Sequence, residues 1–149
     1  MNMRMRLLEV HTLHSEYIKY HYQKNPDLQY QPYSMQIQSL INDGICSGNI
    51  LTPYLPQLNI SSELIIANNP YSQAKWIQEH HSQISNINEW CFESLRKQIE
   101  IRKPDILYIA DPITFDHAFI KQLKWKPKLI IGWRANFLNQ KLICAIMTY

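Results

Sequence analysis

The side chains of this sequence that could bind a ligand or move a proton sit just beyond its apolar runs. His11 and His14 follow the run over residues 5–10. Asn68 and Asn69 follow Leu64-Ile65-Ile66. Asp111 follows Ile106-Leu107-Tyr108-Ile109-Ala110, and Trp133, Arg134 and Asn136 follow residues 128–132. A carboxylate, an imidazole and a guanidinium drawn to one crevice could serve as base and anion clamp. A tryptophan beside them could stack on a sugar or a base. Each also has a plain structural use. Asp111-Pro112 is a common turn opener, His11 and His14 suit a loop, Arg134 suits a surface loop, and Trp133 suits a packed core.

Other chemistries lack their residues. The three glycines, Gly44, Gly48 and Gly132, are too scattered for a phosphate-cradling loop, and no G-x-S-x-G nucleophile elbow occurs. Cys46, Cys91 and Cys144 are odd in number with no C-x-x-C spacing, which argues against a disulfide framework and a structural zinc site. His80-His81 are neighbours about 100° apart on a helix, a poor metal clamp; no metal or cofactor is expected. Tyr17, Tyr20 and Tyr22 do not share a helical face, so a base-stacking platform and a nucleic-acid partner are not expected. Lys121, Lys124, Lys126 and Lys128 read better as a solvated helix end than as a phosphate contact.

Positioning these residues requires strands that end where they begin. Residues 5–10 read as a first strand, 63–67 as a second, 106–110 as a buried third and 128–132 as a fourth. Between them lie helical patterns. Pro32 opens a helix carrying Met35, Ile37, Leu40 and Ile41, which Asp43-Gly44 ends. Pro53 and Pro56 should shorten or kink any helix over 47–58. Pro70 opens another helix, running to about His80. Asn88 or Ser85 is expected to cap a long helix with Ile87, Cys91, Leu95 and Ile99 on one stripe, stopped by Lys103-Pro104. Thr114 is expected to cap a helix carrying Phe115, Phe119, Ile120 and Leu123. Residues 138–149 suit a fifth strand or a helix. Strand, helix, strand over 105–132 implies a parallel pair with a right-handed crossover. The expected fold is α/β: a Rossmann-like, doubly wound, mainly parallel sheet flanked by helices.

Composition agrees. At 149 residues, 46% of them hydrophobic, the chain suits one domain with a real core. No apolar run approaches the ~20 residues of a membrane span. Only Leu7-Leu8 separate Arg6 from Glu9, too brief for a secretion signal's apolar core, and a cytoplasmic location is expected. Four basic and five acidic residues fall in 1–74, eleven and seven in 75–149.

Five segments in order resemble the N-terminal half of GT-B glycosyltransferases, of the CgeB-like, spore-maturation type. They are the first strand with Tyr17-Ile18-Lys19-Tyr20 and Asn25-Pro26-Asp27-Leu28; the segment Tyr33-Ser34-Met35-Gln36-Ile37-Gln38-Ser39-Leu40; Glu63-Leu64-Ile65-Ile66-Ala67-Asn68-Asn69 with Gln73 and Trp76; Leu95-Arg96-Lys97-Gln98-Ile99 with Lys103-Pro104-Asp105-Ile106-Leu107-Tyr108-Ile109 and Asp111; and Lys128-Leu129-Ile130-Ile131-Gly132. The resemblance covers nearly the whole chain. Three features depart from it: Trp133 stands where the family has glutamine, Pro53 and Pro56 interrupt a regular helix, and residues 11–14 lack glycine.

The resemblance implies a single Rossmann-like domain over 1–149 that supplies the acceptor side of a two-domain transferase, with the C-terminal donor domain absent. It implies passage of a sugar from a nucleotide-sugar to an acceptor hydroxyl, with little activity for this half alone. Asp111 is the expected catalytic base or polar acceptor contact; His11, His14, Asn68, Asn69, Trp133 and Arg134 are the expected substrate contacts. The implied partners are a nucleotide-sugar, an acceptor and a separate C-terminal domain or a second copy. A non-catalytic interaction module and a small-ligand binder remain open as alternatives.

Overall fold

The computed structural model describes residues 4–44 and 51–134, and the backbone of 143–147. Four parallel strands, β1 (Met5–His11), β2 (Ile60–Ile66), β3 (Ile106–Ile109) and β4 (Leu129–Arg134), are joined by β5 (Ile143–Met147), which runs antiparallel to β4. The order across the sheet is β2-β1-β3-β4-β5. Helices α1 (Ser15–Lys24) and α2 (Tyr33–Asp43) connect β1 to β2. Helices α3 (Pro70–Glu79) and α4 (Trp90–Arg102) connect β2 to β3, and the short α5 (His117–Lys121) connects β3 to β4. This is the expected Rossmann-like α/β sheet flanked by helices.

Local chemistry sets the element ends. Gly44 takes the left-handed conformation (φ 74°) that stops α2. Asn69 caps α3 by accepting from the Tyr71 and Ser72 amides, with Pro70 in the first turn. Lys103 ends α4 in the left-handed region (φ 47°), and Pro104 prevents continuation.

The sheet separates two unlike interiors. On one face, Leu8, Val10, Ile65, Leu107, Ile109 and Ile130 pack against Leu95 and Ile99 of α4 and against Phe115, Phe119 and Ile120. Phe115 and Phe119 meet edge to face at 5.2 Å. On the other, Leu64 and Ile66 meet Tyr33, Ile37 and Leu40 of α2 and Trp76 of α3. Strand alternation puts Glu9 and His11 on this second face, since Glu9 is in register with Leu64 and His11 with Ile66.

Around α2, α3 and α4 the packing is largely polar. Gln73 Nε2 donates to the Ile66 carbonyl at 3.1 Å, tying α3 to β2. Gln73 Oε1 accepts from Ser94 Oγ at 2.6 Å and from Gln98 Nε2 of α4. Gln98 Oε1 accepts from Tyr33 Oη and from Arg102, each at 3.3 Å, and Arg102 Nε donates to Glu63 at 2.6 Å. A second string runs from Asn69 Nδ2 to Tyr22 Oη (3.1 Å) and from Tyr22 Oη to Gln36 Oε1 (2.6 Å). Gln36 Nε2 then donates to the Gln31 carbonyl at 2.9 Å. Burial pushes the Tyr22 hydroxyl up to about 12, so it stays a donor. Buried amides are tolerated because nearly every polar atom has a partner.

Several sequence expectations are corrected. Neither Asn88 nor Ser85 caps α4: a 3-10 turn (Ile87–Glu89) precedes it, and the Ser85 and Asn86 amides donate to the Glu93 carboxylate instead. The stripe expected there is buried only at Leu95 and Ile99, with Ile87 exposed. Thr114 does not cap α5. That role falls to Asp116, whose carboxylate accepts from the Ala118 and Phe119 amides. Met35 is exposed, while Ile37 and Leu40 carry the α2 contact. Among the described residues of the proline-bearing stretch, 51–58, a 3-10 turn forms over Leu55–Leu58. Residues 143–147 settle as a strand rather than a helix. The lysine cluster behaves as a helix end: Lys126 Nζ donates to the carbonyls of Ile120 and Lys121, and Lys128 pairs with Asp105 at 3.0 Å.

Candidate functional site

A parallel sheet leaves a crevice beyond its carboxyl ends where successive connections depart in opposite directions. Here the chain goes from β1 outward to β2, then returns to β3 on the other side of β1, so the crevice lies between the ends of β1 and β3. The loops after β1, β2 and β3 meet there and are tied together by side chains. Asn68, after β2, clips the β1 loop: its Oδ1 accepts from the Leu13 amide at 2.9 Å and its Nδ2 donates to the Leu13 carbonyl at 2.7 Å. Asp111, after β3, accepts from Thr12 Oγ1 at 2.9 Å, joining the β3 loop to the β1 loop. The same carboxylate accepts from the Thr114 amide (3.2 Å) and hydroxyl (2.7 Å), closing a turn. Within β4, Gly132 lets that turn settle: a Cβ on it would stand 3.1 Å from Pro112 Cβ.

Beneath the crevice lies a buried carboxylate–imidazole pair. Glu9 is fully buried, and its Oε1 is 2.8 Å from His11 Nε2. Glu9 Oε2 accepts from Thr52 Oγ1 at 2.7 Å. The donor in the bond to His11 is set by the imidazole tautomer and by the proton count of the carboxyl. The His11 ring lies 6.2 Å from that of Tyr108 on β3. A buried charge is costly unless paired and hydrogen-bonded, and Glu9 has both kinds of partner. The arrangement sets an imidazole, itself only 4% exposed, against a fully buried carboxylate at the end of β1.

The expected site residues thus take different stations. His11, Asn68 and Asp111 gather about the β1 and β3 ends. Asn69 is buried and spends its side chain on the α3 cap and on Tyr22. His14 is exposed just ahead of α1 and makes no side-chain cap. Trp133, 40% exposed, lies one strand away on β4. Arg134 ends β4, its side chain lying outside the described residues, as does Asn136. Glu9 and Thr52 escaped the sequence reading. Glu9 carried a signal: a lone carboxylate inside an apolar strand, two residues before a histidine, must share that histidine's face. Thr52 carried none.

Among the described residues, no group of three or more His, Cys, Asp or Glu could hold a metal ion. Cys91, half-buried, donates its thiol to the Ala67 carbonyl, and burial pushes it up to about 11, a poor nucleophile near neutral pH. No helix among the described residues is long and apolar enough to cross a membrane.

The chain matches no protein-family model, no curated protein and no solved structure.

Proposed function

We propose that this chain is the acceptor-side domain of a sugar transferase of GT-B type, with His11 as its base. The observation that carries the reading is the buried Glu9–His11 pair at the carboxyl end of β1, beside the crevice where Thr12 and Asp111 meet. The resemblance supports it from a second direction. Among the residues that carry it, Gln36, Asn68, Asn69, Gln73, Trp76, Gln98 and Asp111 bind helices and loops to one another and to the sheet or pack beneath them.

In this reading an acceptor hydroxyl lies at the crevice floor beside Thr12 and Asp111, reaching the narrow exposed edge of the His11 ring. Its oxygen bonds to the anomeric carbon as the bond to the departing nucleotide breaks, and the imidazole of His11 takes the proton. Glu9 holds the ring and stabilises the imidazolium that forms. Asp111, its oxygens engaged by Thr12 and Thr114, is placed to position the acceptor rather than to take the proton. The donor contacts belong to a second Rossmann-like domain, wherever it is encoded.

The test is a titration of the chain with nucleotide-sugars and with acceptor saccharides, followed by NMR and by a transfer assay. Acceptors are expected to shift the signals of Thr12, Leu13 and Asp111, with weak or no binding of nucleotide-sugar. Tight nucleotide-sugar binding without an acceptor, or robust transfer by this chain alone, would overturn the acceptor-side assignment.

A further inference from the structure

We infer that a second groove, on the outer side of α3, is a binding platform for a saccharide. It encloses about 430 Å³ between α3 and the 3-10 turn Pro26–Tyr30, and Gln29, Tyr30, Tyr71, Ala74, Lys75 and Gln78 line it. That volume lies within the ~300–1,000 Å³ of small-ligand sites. Tyr71, Ala74, Lys75 and Gln78 are spaced i, i+3, i+4 and i+7, so they form one continuous helix face.

Both rings are held by rigid supports. Tyr71 stacks on the buried Tyr22, with centroids 4.2 Å apart and planes at 21°. Tyr30 is 72% exposed, yet its turn is fastened by Gln36 Nε2, which reaches the carbonyls of both Gln29 (3.3 Å) and Gln31 (2.9 Å). An exposed tyrosine on a fixed turn offers a large amphipathic contact with only two torsions to freeze.

The lining selects the ligand class. Phenol rings offer flat apolar faces to the C–H side of a pyranose, and their hydroxyls tolerate water at the rim. Gln29 and Gln78 bring amide donors and acceptors suited to sugar hydroxyls. Gln29 spends one donor on the Pro26 carbonyl (3.2 Å), and Gln78 Oε1 accepts from Lys75 (3.2 Å). Among the described residues of the lining, Lys75 is the charged side chain and no carboxylate joins it, so the groove suits a neutral or acidic sugar and disfavours a cation. Ala74 leaves the floor open. The inference rests on this groove and goes beyond the transfer reading.

Its test is NMR titration of the isotope-labelled chain with maltose, cellobiose and N-acetylglucosamine. At least one should give saturable shifts at Tyr30, Tyr71 and Ala74. Tyr30→Ala should weaken that binding about fivefold or more, while Tyr30→Phe retains most of it. Because Tyr30 is largely exposed, the rest of the variant's spectrum should stay in place. Three results would overturn the platform: no saturable shift with any of the sugars, shifts undiminished in Tyr30→Ala, or saturation by a proline-rich peptide where the sugars fail. The titration reads the groove whether or not the chain takes part in transfer, so the two proposals fail separately.

Discussion

Both faces of the sheet carry an apolar cluster, but only one of them adds a buried polar network. The α4–α5 face closes on leucine, isoleucine, valine and phenylalanine. The face toward α2 and α3 buries Glu9, His11 and Gln36 among its residues, and the chain of amides through Gln73 and Gln98 links α3 to α4 at its margin. Apolar contacts are non-directional and tolerate a range of shapes. A buried amide or carboxylate is stable only in the one arrangement that satisfies it, so it specifies geometry more than it adds net stability. One interior therefore holds the sheet together, and the other fixes the positions of His11, Asn69 and the loops they support.

The largest effect should fall on the apolar face. Phe115→Ala is expected to cost about 3–5 kcal/mol in urea unfolding, because it empties the middle of the phenylalanine cluster. A loss under 1 kcal/mol would break the comparison. Gln73→Leu should cost less, about 1–3 kcal/mol, by leaving Ser94, Gln98 and the Ile66 carbonyl without their shared partner. A stabilised Gln73→Leu protein would mean the amide string is dispensable.

The double variant Glu9→Leu with His11→Leu sharpens the comparison most. Replacing both members of a buried pair by apolar groups is often neutral or stabilising, so its unfolding midpoint should match or exceed that of the parent. Any acceptor-dependent activity measured with a donor domain should disappear. A strongly destabilised double variant would make the pair structural and remove the base from the proposal.

The smallest effect is local and depends on pH. The amides of Ser85 and Asn86 hold the Glu93 carboxyl down, to about 2 from an ordinary 4.5, and Lys97 adds to this. The folded state thus binds this proton less readily than the unfolded chain. Its contribution is full above about pH 4.5 and is lost as the pH falls through about 2. Protection of the Ser85 and Asn86 amides, exchange measured against the intrinsic rate at each pH, should fall over that window in the parent chain. In Glu93→Gln protection should be lower throughout and unchanged by the same pH change.

Most elements were readable because their signals are local; α1 (Ser15–Lys24) was not, since its tyrosine-rich segment carries only Ile18, His21 and Tyr22 on its buried side. Pro70 after Asn69, Gly44 after Asp43 and the apolar runs at 64–66 and 106–109 each act within a few residues, and each element formed where its signal placed it. The failures share a cause. Ser85, Asn88 and Thr114 are all good capping residues, yet neighbours chosen by the fold used them otherwise: Glu93 took the Ser85 amide, and Asp111 took the Thr114 hydroxyl. The site was legible as a set of strand ends. Its pairings were not, since Thr12 and Asp111 are 99 residues apart and Thr52 lies 43 from Glu9.

The sequence alone determined a parallel α/β sheet, the approximate ends of its strands and the polar residues at those ends. Periodicity, proline, glycine and capping chemistry act over a turn of chain, so they can be read in order. Only the tertiary structure decided that β1 lies between β2 and β3, that β5 runs antiparallel, and that Glu9 meets His11 in a dry interior while Asp111 meets Thr12 above it. Those outcomes depend on which distant surfaces exclude water from one another, and a short apolar strand carries no mark of its neighbour or its direction.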